Sequence, residues 1–160
     1  MTQQTDRKKK PLISLRQRAL DYLAKREYSV VELGRKLQSV AKQYELDSEE
    51  IPEILADFQK RNWVSDTRFT EQILHARKTK FGSAHIAHEL REKGVAADLI
   101  AIALDEIDSD LEYRAALELG MRKARSLARF DEDVRERRLV SALQRKGFNF
   151  SVISAVLKEI

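Results

Sequence analysis

The stretch from Leu90 to Ile107, LREKGVAADLIAIALDEI, returns without a gap from Leu143 to Ile160 as LQRKGFNFSVISAVLKEI. The pairs Leu90/Leu143, Lys93/Lys146, Gly94/Gly147, Ile100/Ile153, Leu104/Leu157, Glu106/Glu159 and Ile107/Ile160 coincide. Each copy reads as the end of one helix, a glycine stop and a second short amphipathic helix. A supersecondary unit repeated along a chain signals an array whose units bury their apolar faces against neighbours. Such a scaffold offers an extended contact surface and seldom an enclosed pocket, which directs the functional reading towards binding.

The rest of the composition fits a helical array. Among 160 residues only two are proline and five glycine, while 35% are charged. No segment alternates with the period of two that marks a half-buried strand, so no sheet is expected. The absence of cysteine excludes disulfides and thiolate chemistry. No apolar run approaches the roughly 18–20 residues that a membrane helix needs, and the basic N-terminus lacks the apolar core of a signal peptide. A cytoplasmic protein is expected.

Helix signals divide the chain into an expected disordered basic arm at 1–11 and three three-helix repeats at 12–64, 65–108 and 109–160. Together the repeats are expected to form an elongated, curved all-α array. Ser29 with Glu32 reads as a capping box, Asn62 as a left-handed stop, and Ser83 as the cap of a short helix. Trp63 and Val64 are expected to plug the junction between the first two units, as large apolar side chains are usually mostly buried. The final helix of the first repeat fits by setting Ile51, Leu55 and Phe58 against Ile100, Leu104 and Ile107. No heptad seam or spare apolar helix face is visible, which points to a monomer.

Charge alternates in blocks along the chain. Residues 1–42 carry net +7, 43–59 net −6, 60–93 net +4, 94–112 net −6 and 113–160 net +5. The bases fall mainly in the first two helices of each unit and the acids in the third helices of the first two, which suggests a basic side and an acidic side.

Several segments, taken in order, resemble one family. They are Ala19 to Ser29 (ALDYLAKREYS) followed by Glu32 to Leu37 (ELGRKL), Asn62 to Phe69 (NWVSDTRF), Arg77-Lys78 with Phe81-Gly82, and Glu89-Leu90 with Lys93-Gly94-Val95. Arg145-Lys146-Gly147-Phe148 completes the set. Across residues 12–160 the chain resembles the RecX regulatory proteins. Asn62 and Ser65 stand where glycine and an acid are more usual, and His85 where a basic residue is frequent. The resemblance implies tandem three-helix repeats and a non-enzymatic modulator that lies along the groove of the RecA–DNA filament, inhibiting recombinase, ATPase and co-protease activities. It thereby implies a part in DNA repair and homologous recombination.

The candidate contact residues for filament and DNA are Arg26, Arg35, Lys36, Arg77, Lys78, Lys80, Arg122, Lys123, Arg125, Arg129, Arg138, Arg145 and Lys146. Positive charge arrayed along a track is all that phosphate binding requires. A weak affinity for single- and double-stranded DNA through this basic face is therefore expected alongside the RecA nucleoprotein filament. An alternative is a direct DNA-binding regulator with helix-turn-helix-like units, which would need recognition-helix residues at base edges. The second helices instead open with Val30-Val31 and Ala84-His85. No cofactor, metal site or catalytic set is expected. His85, His88 and Glu89 form H-x-x-H-E rather than the H-E-x-x-H of zinc proteases, His75 lies one helix earlier, and the glycines are too dispersed for a phosphate loop.

Overall fold

The computed structural model describes residues 12–160. The basic arm expected at 1–11 lies outside them. The described residues form nine helices and no strand: α1 (Leu15–Lys25), α2 (Val30–Tyr44), α3 (Glu50–Lys60), α4 (Asp66–Arg77), α5 (Ser83–Glu92), α6 (Ala97–Asp105), α7 (Ser109–Ser126), α8 (Glu132–Arg145) and α9 (Phe150–Glu159). The helices start where short polar side chains can take an otherwise unpaired amide. Ser14 accepts from the Gln17 amide at 3.2 Å, Ser65 from Arg68 at 3.3 Å and Asn149 from Val152 at 2.9 Å. Asn62, with φ 58°, ends the turn after α3, as its tolerance of the left-handed region suggests.

Three separate apolar clusters hold the helices in triplets. Leu15, Ala19, Leu33, Leu37, Ile51, Ile54 and Phe58 pack α1–α3. Phe69, Ile86, Leu90, Val95 and Ile100 pack α4–α6. Ala116, Leu139, Leu143, Phe148, Ile153 and Val156 pack α7–α9. Shifted by the repeat, Ile86, Leu90, Val95, Ile100 and Ala103 fall on Leu139, Leu143, Phe148, Ile153 and Val156, and all ten are buried. The sequence repeat is thus the core of the second and third units. In the first unit Ile51 and Ile54 occupy the places of Ile100 and Ala103.

The units meet through their second helices, start against stop. Beside the start of α2, the Ser29 hydroxyl donates to the Lys93 carbonyl at 2.6 Å, just past the end of α5. Beside the start of α5, the Gly82 and Ala84 amides donate to the Lys146 and Gly147 carbonyls at 2.8 and 3.2 Å, just past the end of α8. A carboxylate from the next unit's first helix completes each joint. Asp66 accepts from the Val30 amide at 2.8 Å, and Glu112 from the Ser83 amide at 2.9 Å and its hydroxyl at 2.8 Å. The repeated Lys-Gly pair is therefore the joint itself: Gly94 and Gly147 have φ 75° and 89°, a turn that brings the chain against the preceding unit.

Three local expectations are corrected. The capping box at Ser29 is half made: its hydroxyl oxygen accepts from the Glu32 amide at 3.0 Å, but the Glu32 carboxylate turns to Arg26 and Lys93. The cap of α5 is Gly82, because the Ser83 hydroxyl is drawn to Glu112. Val64 is buried in the first unit's core, whereas Trp63 is 42% exposed and lies edge-on to Phe58 with ring centroids 5.2 Å apart. Trp63 does not plug the junction, which is closed by the second-helix ends.

Candidate functional site

The basic residues separate into those answered by carboxylates within the fold and those left open. Arg26 binds Glu32 at 2.7 Å and lies 3.6 Å from the Tyr28 ring centroid. Lys93 reaches the same carboxylate at 2.9 Å. Burial would raise the Glu32 pKa, but the hydrogen bonds from Arg26 and Lys93 outweigh it and hold the carboxyl below its ordinary value. Arg77 grips Glu89 through two contacts of 3.0 and 3.1 Å, and that hydrogen-bonded carboxylate raises the guanidinium pKa. Arg35 donates to the Glu92 carbonyl at 2.7 Å across the first joint. Arg16 and Arg61 both hydrogen-bond Asp57, holding its carboxyl low. These cations serve the fold.

The third unit is different. Val134, Arg138, Ser141 and Arg145 recur every three or four residues and so share one face of α8, with Arg137 beside Arg138 at its margin, three residues after Val134 and four before Ser141. Facing them across a crevice are Lys123 and Leu127 at the end of α7, enclosing a groove of about 620 Å³. A second groove of about 410 Å³ shares Lys123 and Arg145 with it and continues past Leu119 and Ala142 to Lys146, Phe81 and His85. The two form one track from the third unit onto the second.

Five cations, Lys123, Arg137, Arg138, Arg145 and Lys146, line this track together with His85, and no carboxylate does. None of the five has a carboxylate within ion-pair distance among the described residues. Other hollows of the unit are mixed in charge: one between α7, α8 and α9 contains Glu132 and Glu136 beside Arg135 and Lys158. Unneutralised like charges along a crevice with an apolar floor repel one another and focus a field that attracts a polyanion. Planar groups sit among them. Phe81 and His85 stack with centroids 4.0 Å apart and planes 12° from parallel. The Lys146 ammonium lies 4.8 Å from the Phe81 centroid, while Arg138 and Arg129 lie 4.1 and 4.8 Å from that of Phe130.

Of the thirteen expected contact residues, the structure brings Lys123, Arg138, Arg145 and Lys146 together in this track. Arg122 and Arg125 are exposed on α7 outside it, and Lys36, Lys78 and Lys80, in the first two units, line neither groove. Arg129 touches its edge through Phe130. Arg137, Phe81 and His85 join the track without having been among those thirteen. The helical spacing of Arg137 with Lys123's partners on α8 was a visible signal; the place of Phe81 and His85 depends on how two units dock and was not. Among the described residues no three His, Asp or Glu side chains converge on a metal-sized site, and no helix is long and apolar enough to cross a membrane.

Comparison with known proteins gives the same architecture a family setting. Residues 110–157 match the description "RecX, third three-helix domain" and residues 65–104 "RecX, second three-helix domain". The chain is 38% identical over 150 residues to a "Regulatory protein RecX" of Leptothrix cholodnii, covering 93% of this chain and 90% of that protein. It is 37% identical over 146 residues to the protein of the same name from Chromobacterium violaceum, covering 90% and 89%. The crystal structure of RecX from Lactobacillus salivarius superposes with a TM-score of 0.76 at 20% identity, over 91% of this chain and 93% of that one.

Proposed function

Since the chain belongs to the RecX family of regulatory proteins, we propose that it acts without catalysis, binding the RecA–DNA filament along its groove and inhibiting RecA's recombinase, ATPase and co-protease activities. The observation that carries this reading is the unneutralised basic track of the third unit, open along its length and free of carboxylates. A filament presents phosphate and acidic protein surface at repeated intervals, and a monomer built from linked units can meet several intervals at once. Each contact can be weak, because linkage raises the effective concentration of the next.

The helix-turn-helix alternative loses ground at the joints. A recognition helix reads bases with residues near its N-terminus. Here the starts of α2 and α5 are engaged by Lys93 with Asp66 and by Lys146 with Glu112. The start of α8 carries Asp131, Glu132 and Asp133, which phosphates would repel.

The test compares binding to RecA–DNA filaments and to naked DNA at moderate salt, with DNA-dependent ATPase as the second readout. A strong preference for filaments with ATPase suppression is expected, and the K123E/R138E/R145E variant should lose at least about tenfold in filament affinity with a shallower salt dependence. Equal affinity for naked DNA, or an unchanged salt slope in the variant, would sink the reading.

A further inference from the structure

The second helix of every unit ends in a turn of the same construction, but only two of the three turns are covered. The chain leaves α2, α5 and α8 through a left-handed residue at Glu45, Gly94 and Gly147, with φ 52°, 75° and 89°. The amide after each turn donates to a core residue of its own helix: Leu46 to the Ala41 carbonyl at 2.8 Å, Val95 to Leu90 at 3.0 Å and Phe148 to Leu143 at 3.2 Å. Gly94 and Gly147 lie under the neighbouring unit. A Cβ on Gly94 would stand 2.5 Å from Cγ2 of Val31, and one on Gly147 would strike His85. Glu45 is exposed, beside an open hollow of about 260 Å³ that it shares with Gln38, Lys42 and Leu46. By its backbone alone a left-handed turn favours glycine. The turn therefore does not explain the glutamate, and a non-glycine residue held there is an outlier that points to a role. Its Cβ stands where the internal joints have no room for one.

The opposite free face is the start of α8. The covered starts read Ser29-Val30-Val31 and Gly82-Ser83-Ala84, neutral residues whose amides and hydroxyls donate to carbonyls past a neighbouring helix end and to Asp66 or Glu112. A covered start thus supplies donors to a surface of acceptors. The free start reads Asp131-Glu132-Asp133, all three exposed. Acids at a helix start suit its dipole, so by themselves they are ordinary. Docked on a turn that carries Glu45, however, they would bring four carboxylates into one joint.

We propose that Glu45 and the acids at 131–133 shut the two terminal faces of the array against a second copy of the chain, which would otherwise dock start to stop as the units do internally. Each copy is then a finished body of three units, with nothing at either end for another copy to hold. Arrays stay soluble when their terminal repeats turn a polar face outward, and here both ends do so with carboxylates at the joint positions themselves. Copies on one polymer would bind singly, without contact between neighbours; that consequence rests on the filament reading, whereas the closed ends do not.

The experiment opens the faces one at a time in the full chain and measures mass by sedimentation velocity, with helical circular dichroism as the check on folding. Glu45→Gly opens the stop. The variant D131S/E132V/D133V places the start of α2 on α8. Each alone should remain single, as wild type does, because its counterpart face is still closed. An equimolar mixture of the two should give one-to-one pairs and nothing larger, with a Kd of about 0.1 mM or tighter, so that pairs are plain at about 0.1 mM chain. The chain with all four substitutions should form linear oligomers that lengthen with concentration. A mixture that stays single, a start variant that associates alone as strongly as the mixture, or wild type that already forms chains would each overturn the proposal. None of these measurements involves RecA, so a failure to bind filaments would sink the filament reading and leave the closed ends standing.

Discussion

A Cβ built on Gly82 would stand 2.3 Å from the Gly147 carbonyl group, and one on Gly147 would stand 2.4 Å from the His85 amide nitrogen. Both obstacles are backbone, so the units themselves would have to separate. Gly34 is the useful contrast, because its added methyl would meet only the flexible end of Leu55 at 3.2 Å while gaining helix propensity. Gly82→Ala and Gly147→Ala are therefore expected to cost about 2–3 kcal/mol, lowering Tm by roughly 5–10 °C, with Gly34→Ala close to neutral; calorimetry checks all three. Glu32 makes the corresponding ionic prediction. Its folded pKa lies below its ordinary value, so its contribution to stability is present above the unfolded pKa and is lost as pH falls through the lower folded one. Glu32→Gln should cost about 1–2 kcal/mol rather than the 3–5 of a fully buried pair, because Arg26 and Lys93 keep access to water. The variant should also lose part of the acid sensitivity of the melting curve. If wild type and Glu32→Gln lose stability in parallel below pH 4.5, the carboxylate does not carry that effect.

At the scale of elements, the helices were legible because their signals are local. Ser14, Ser29, Ser65 and Asn149 each sit three residues before the amide they accept. What could not be read was which cations the fold consumes. Arg26 meets Glu32 across the turn between α1 and α2, Arg77 meets Glu89 across the turn between α4 and α5, and Arg35 reaches a carbonyl 57 residues away, none at a spacing within one helix, so all three looked as available as Arg138. The same blindness placed Trp63 in a junction: its neighbourhood is apolar, but a turn after α3 can bury Val64 and leave the next ring half outside. Trp63→Ala should then cost only about 1–2 kcal/mol, below the 3–5 typical of a buried aromatic, and leave filament binding per folded molecule unchanged. A larger loss in thermal melts would mean that the ring is packed more deeply than its 42% exposure states.

The molecule as a whole has two joints of one design and different materials. The first relies on side chains, with Lys93 on Glu32, Arg68 on Glu27 and Arg35 on a carbonyl. The second relies on backbone hydrogen bonds from Gly82 and Ala84 to the turn at Lys146 and Gly147, with Glu112 holding Ser83 but no ion pair across it among the described residues. Salt at 1 M, where the Debye length is about 3 Å, should weaken the first and spare the second. The cysteine-free chain permits clean paired spin labels. Between positions 38 and 88 the distance distribution should broaden as salt rises, and between positions 88 and 144 it should stay fixed; equal broadening would show that the joints are alike. The start-to-stop arrangement has a last consequence. At each joint the partly negative end of one second helix meets the partly positive beginning of another, so the dipoles reinforce from unit to unit. No two-fold axis relates the ends: one finishes at the left-handed turn of Glu45, the other begins at the acidic cap of Asp131. The protein is a vector. Laid on a polymer of identical subunits that also has a front and a back, its two orientations differ in energy, and reversing it is not the same act of binding.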